Sequence, residues 1–311
     1  MYIRNIDPSL NTGGINKTLK ILSQRKSSPA FKSFVYSPHN IFSLSRLNPV
    51  NKYAHGVVST FIKMARHRYY ELSDNLKPIT KRVKLKSTRK TSTFALDINP
   101  DGRKKYVLFM HGLTQNVTNL QNVYENIVNR TGYAVLAPEY RGFGKIAEKI
   151  SSKTLRADAV AGLKYLVKEK KIHKKDIYIV GHSMGGSVAT RLAADYPRTK
   201  GLVLVSAVDT LGSVINQSRV KGIPKFAWYL LEKVKLFNAS LNRFLAASEF
   251  IPKVKTPVSI IHSLDDNFVK PNSATSIAKK CKTLKCLNLV SNGGHRMEDE
   301  KINSLIAVLN S

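Results

Sequence analysis

The chain has 311 residues, with 51 Lys plus Arg against 20 Asp plus Glu and a formal net charge of +31. At 42% hydrophobic it can bury a sizeable core, which excludes a disordered polycation. No apolar run approaches the roughly 18–20 residues of a membrane-spanning helix, and Cys281 and Cys286 are too few for a disulfide scaffold or, by themselves, a zinc site.

Residues 1–55 contain one acidic residue, Asp7, show no sustained period and are rich in Ser, Asn and Pro, so they read as a poorly ordered extension. An acid-poor, Ser-rich basic leader also has the composition of organelle-targeting or export leaders, whereas the first twenty residues lack the apolar stretch of a conventional secretory signal. Over residues 56–71, Val57, Val58, Phe61, Ile62, Ala65 and Tyr69 share one helical face. That stripe predicts an amphipathic helix, packed on the domain behind it or lying on a membrane. Residues 1–79 are therefore expected to form a basic extension and residues 80–311 the folded domain. Residues 1–105 carry 21 basic and 5 acidic side chains, the rest 30 and 15, so the excess charge is densest in the first third.

Thr80–Lys86 and Thr91–Ile98 predict two strands joined by a basic turn. Tyr106–Met110 is almost wholly apolar, as a strand buried on both faces should be. The pattern then predicts a helix over Val117–Asn129, a strand at Tyr133–Ala137, a helix over Leu155–Glu169, a strand at Asp176–Val180, a helix over Met184–Tyr196 and a strand at Gly201–Ser206. Residues 211–253 interrupt this rhythm with helical character at Phe226–Val234 and Leu241–Ala247. A strand at Pro257–His262, a helix at Ser273–Lys280, a strand at Leu284–Val290 and a closing helix at Ile302–Leu309 complete the chain. Strands alternating with helices imply right-handed crossovers, and hence an α/β fold with a mainly parallel sheet covered on both faces.

The chemistry concentrates in Gly181-His182-Ser183-Met184-Gly185, set between the strand ending at Val180 and the following helix. In such a turn the serine is held at a strained backbone angle with Oγ exposed, and the helix N-terminus faces the reacting centre. A serine hydroxyl needs a base of near-neutral pKa, oriented by a buried carboxylate. His295, in Ser291-Asn-Gly-Gly-His295 after the last strand, is the candidate base. His182 adjoins the nucleophile but points away from it. Asp266, just past the strand at 257–262, is the favoured carboxylate, with Asp265 and Asp209 as alternatives. No Gly-rich phosphate loop, dinucleotide fingerprint or metal-ligand spacing is present, so no cofactor or metal is expected.

The order Ser183, Asp266, His295, together with Met110-His-Gly-Leu113, Ala137-Pro-Glu-Tyr-Arg-Gly-Phe-Gly144 and Gly293-Gly-His295, resembles the α/β-hydrolase superfamily over roughly residues 80–311. Within it, the chain is most similar to the serine hydrolases of the lysophospholipase, monoacylglycerol lipase and serine aminopeptidase branch. The resemblance implies an oxyanion hole made by the backbone N–H groups of Leu113 and Met184, with His111 shaping its loop. It also implies that residues 211–253 are a short helical lid, whose Phe226, Trp228 and Tyr229 line an acyl pocket. Glu139 and Lys145 depart from the family's D-x-R-G-x-G-x-S pattern, and Ser263 stands where Gly is usual.

These readings lead to a serine hydrolase cleaving a lipid-like or small acyl ester. A thioesterase, acyltransferase or aminopeptidase would use the same triad, and a membrane-docking effector carrying this hydrolase is a further alternative. The basic N-terminal region suggests peripheral contact with an anionic membrane. The chain carries no nucleic-acid-binding motif, so nucleic acid is not an expected partner. A cytoplasmic or peripheral-membrane location fits the lack of a conventional signal, with non-classical export or organelle targeting through the leader as the alternative.

Overall fold

A computed structural model of the chain describes residues 69–143, 146, 150–210 and 245–311. The expected disorder of residues 1–55, most of the helix expected over 56–71, and Phe226, Trp228 and Tyr229 of the expected lid lie outside the described residues.

Eight strands form one sheet: β1 (Thr80–Lys86), β2 (Ser92–Ile98), β3 (Tyr106–Met110), β4 (Ala134–Pro138), β5 (Ile177–His182), β6 (Gly201–Val205), β7 (Val258–Ser263) and β8 (Leu284–Val290). Their spatial order is β1-β2-β4-β3-β5-β6-β7-β8. β2 pairs antiparallel with β1 and with β4, and every other pairing is parallel.

β3 to β7 are buried along their whole length, which explains their nearly unbroken apolar sequences. Because successive side chains alternate across a strand, Leu108 and Met110 enter one core while Val107 and Phe109 enter the other. The first core is closed by α2 (Ser152–Lys164), α3 (Met184–Asp195) and α4 (Asn272–Lys280), the second by α1 (Gln121–Arg130) and α5 (Asp299–Leu309). The doubly covered α/β sheet expected from the alternating pattern is therefore present. β1 is an edge strand, and its exposed Lys81, Arg82, Lys84 and Lys86 discourage pairing with another chain. Among the described residues no helix is long and apolar enough to cross a membrane.

Some boundaries differ from expectation for local reasons. Residues 69–71 are not helical. There the Tyr69 hydroxyl donates to Glu139 Oε2 (3.0 Å) and the Tyr70 N–H to Thr118 Oγ1 (3.0 Å), so this segment is tied to the loop before α1. Residues 69–79, assigned from sequence to the extension, dock on the sheet domain. Leu76 is fully buried there, and the Ser73 N–H donates to Gln121 Oε1 at 2.7 Å.

α1 begins at Gln121 rather than Val117, because the Asn116 carboxamide accepts from the Thr118 N–H and hydroxyl and locks a turn. The helix expected over 155–169 is α-helical only to Lys164 and continues as a π-turn over Tyr165–Glu169. At that widened turn Tyr165 donates to Asp97 Oδ2, and Lys170 pairs with the same oxygen at 3.1 Å.

Candidate active site

The parallel strands all end on one edge of the sheet, and the loops leaving β3, β5, β7 and β8 meet there. Ser183 sits between β5 and α3 with φ 55° and ψ −123°, a left-handed conformation that is strained for any residue with a Cβ. The turn is too tight for flanking side chains. A Cβ at Gly185 would lie 2.1 Å from the carbonyl oxygen of Met110, and one at Gly181 would lie 2.4 Å from that of Gly185.

Ser183 Oγ lies 2.9 Å from His295 Nε2, and His295 Nδ1 lies 2.9 Å from Asp266 Oδ2. Of the three candidate carboxylates, Asp266 is the one that meets His295. Its other oxygen, Oδ1, accepts from the backbone N–H groups of Phe268 (3.0 Å) and Val269 (2.9 Å), which orients the carboxylate. Burial opposes its ionisation, but the hydrogen bonds from His295 and from the Val269 amide outweigh it and hold the carboxyl below its usual range. Asp265 instead accepts from Ser263 Oγ and from the Gly294 N–H (2.9 Å), bracing the histidine loop. Asp209 makes no bond to His295, and its buried Oδ1 has no hydrogen-bond partner among the described residues.

The loop after β3 runs beside the serine: a Cβ on Gly112 would lie 3.2 Å from Ser183 Cβ. Leu113 follows Gly112, and Met184 opens α3. Among the described residues neither of their N–H groups has a hydrogen-bond partner, so both remain free to meet a developing oxyanion.

Three residues that support this geometry, Glu139, Gln115 and Lys301, were not read in these roles from the sequence. His111 Nε2 lies 2.9 Å from Glu139 Oε1, so the residue that replaces the family's Asp anchors the loop carrying Leu113. Glu139 also accepts from the N–H groups of Val117 and Tyr140. Gln115 Oε1 accepts from the Gly112 N–H at 2.8 Å. Lys301 reaches under the His295 loop, and a cation on the apolar stripe with Ile302 and Leu305 was the signal that could have flagged it.

His182 and His262 flank the site as neutral rings. Burial lowers the pKa of His182 from 6.5 to about 3 and that of His262 to about 4. The unfolded chain binds protons at these residues near pH 6.5 and the folded one only far below it, so stability must fall as pH drops from about 6.5 toward 4. The melting temperature is expected to be level near pH 7–8 and to decline toward pH 5, with a shallower decline in His262→Gln. A melting temperature unchanged between pH 7 and 5 would contradict this.

The profile of the serine aminopeptidase S33 family matches residues 101–235. A Burkholderia cepacia 2-hydroxy-6-oxo-6-phenylhexa-2,4-dienoate hydrolase is 29% identical over 161 residues, 50% of this chain and 54% of that protein. Zebrafish (Danio rerio) lysophosphatidylserine lipase ABHD12 is 27% identical over 202 residues, 62% of this chain and 50% of that protein. The chain thus spans about half the length of these curated relatives. Among solved structures, a Pyrococcus furiosus esterase superposes with a TM-score of 0.61 at 19% identity, covering 79% of this chain and 94% of the esterase, a likeness of fold.

Proposed function

This chain is an α/β hydrolase, and from that premise we propose that it cleaves a carboxylic ester, lipid-like or of a small acyl group, through an acyl-enzyme on Ser183. The observation that carries this reading is the relay of two 2.9 Å hydrogen bonds from Ser183 Oγ through His295 to Asp266. His295 takes the hydroxyl proton as Oγ attacks the acyl carbonyl, and Asp266 holds the ring so that Nε2 is free to receive it. The Leu113 and Met184 N–H groups hold the oxyanion. His295 returns the proton to the leaving alkoxide, then draws one from a water molecule that attacks the acyl-enzyme, and hands it to Ser183 Oγ as the C–Oγ bond breaks and the carboxylic acid leaves.

The match to the serine aminopeptidase family supports a second reading, amide cleavage by the same groups. The lipid direction draws on the lysophosphatidylserine lipase among the relatives and on exposed cations along one sheet edge, Lys81, Arg82, Lys84, Lys86, Arg89 and Lys90, which suit an anionic headgroup or membrane surface.

The deciding experiment is a substrate panel with Ser183→Ala as the blank. It contains p-nitrophenyl esters of graded acyl length, an aminoacyl p-nitroanilide, an acyl thioester, and lysophospholipids with serine or choline headgroups. Esters are expected to turn over fastest, with the serine headgroup preferred over choline at low ionic strength. Faster cleavage of the anilide would replace the ester reading by the peptidase one.

A further inference from the structure

The loop that carries His295 has almost no backbone support of its own. Between Asn292 and Met297, no backbone group of the described residues bonds to another backbone group. Gly293 (φ 115°) and Gly294 (φ 49°) give it a path that other residues adopt poorly. Side chains from elsewhere hold it instead. Asp265 receives the Gly294 N–H, Glu300 the Asn292 N–H, and His182 Nε2 donates to the carbonyl of His295 at 2.9 Å.

The two remaining carbonyls around the histidine belong to one cation. Lys301, 0% exposed in the first turn of α5, donates from Nζ to the carbonyls of Gly294 and Arg296, both at 2.6 Å, and to Ser206 Oγ at 3.1 Å. An ammonium has three N–H donors, and here each has an acceptor. Ser206, itself at φ 47°, directly follows β6, so the lysine ties the histidine loop to the end of the strand beside β5.

We propose that Lys301 is a positioning residue for the reaction: its buried ammonium clamps the carbonyls on either side of His295 and thereby holds the imidazole over Ser183. The proposal rests on His295 acting as the base, as set out above.

The clamp also makes activity sensitive to alkaline pH. Burial lowers the Lys301 pKa to about 8, although Asp266, Asp265 and Glu298 around it favour the charged form; His182, His262 and His295 face the same space. Above that pH the group loses one donor and its charge beside Asp266, so kcat should fall as pH rises through about 8.

The test compares wild type, Lys301→Met and Lys301→Arg on one p-nitrophenyl ester, together with the rate of fluorophosphonate labelling and the low-field proton signal of the His295–Asp266 hydrogen bond. In Lys301→Met, kcat and labelling rate are expected to drop together by at least about tenfold with little change in KM, and the low-field signal to shift or vanish. In Lys301→Arg, activity should exceed that of the Met variant and the limb near pH 8 should disappear, because a guanidinium does not titrate there.

A wild-type kcat and low-field signal in Lys301→Met would overturn the proposal, as would an unchanged alkaline limb in Lys301→Arg. Should Lys301→Met fail to fold, the pH profile of Lys301→Arg decides alone. A wild-type protein that neither turns over esters nor reacts with the probe sinks the hydrolase reading instead, and the proton signal then still reports on the clamp.

Discussion

Ser183→Ala is expected to lower kcat on p-nitrophenyl esters by about 10⁴-fold or more and to abolish fluorophosphonate labelling, with the fold retained. The serine hydroxyl makes its one described hydrogen bond to His295 Nε2, so its removal costs the structure little. The strained backbone at φ 55° is imposed by the turn and persists in the variant, because the glycines at 181 and 185 fix its path. What disappears is the atom that would carry the acyl group. Residual acceleration over water is expected, because the Leu113 and Met184 amides and the histidine remain in place. Labelling at the wild-type rate would place the nucleophile elsewhere.

Asp266→Asn should cost about 10³–10⁴-fold in kcat while changing KM little, and the reason lies in the two ends of the side chain. Oδ1 accepts two backbone N–H groups and can do so equally well in an asparagine. The amide NH₂ then faces His295 Nδ1, which must become an acceptor, and the ring proton moves to Nε2. A protonated Nε2 facing Ser183 Oγ cannot take the hydroxyl proton. Asp265→Asn is the control: its carboxylate braces Gly294 without touching the imidazole, so its effect should stay within about tenfold. Steady-state kinetics on the two variants separate the roles, and a larger loss in Asp265→Asn would transfer the orienting role to that residue.

Sequence reasoning favoured Asp266 of these two neighbours and left Asp265 open. β3 and β8 were legible to the residue, because an unbroken apolar run and a short run after a helix leave few alternative boundaries. The start of α1 was missed because Asn116 and Thr118 satisfy one another locally and hold a turn that the apolar period does not register. The strand, tight turn and helix around Ser183 were legible because the glycine spacing answers a steric demand made within five residues. Glu139 was visible as a departure from the family pattern, and only packing revealed that it holds His111.

Taken alone, the sequence determined the alternation of strands and helices, the strained serine between β5 and α3, and the chain order of serine, acid and histidine. Each is set by short-range sterics or by the period at which apolar side chains must face a core. The tertiary structure decided which carboxylate meets His295, which side chains hold its loop, and that residues 69–79 belong with the sheet. Those outcomes depend on groups brought together from far along the chain, Ser183 and His295 being 112 residues apart. The sequence favoured Asp266 over Asp265, and the backbone N–H groups of Phe268 and Val269, two and three residues on, hold its carboxylate locally. Only the meeting of the loops after β7 and β8 at the sheet edge brings His295 to that carboxylate.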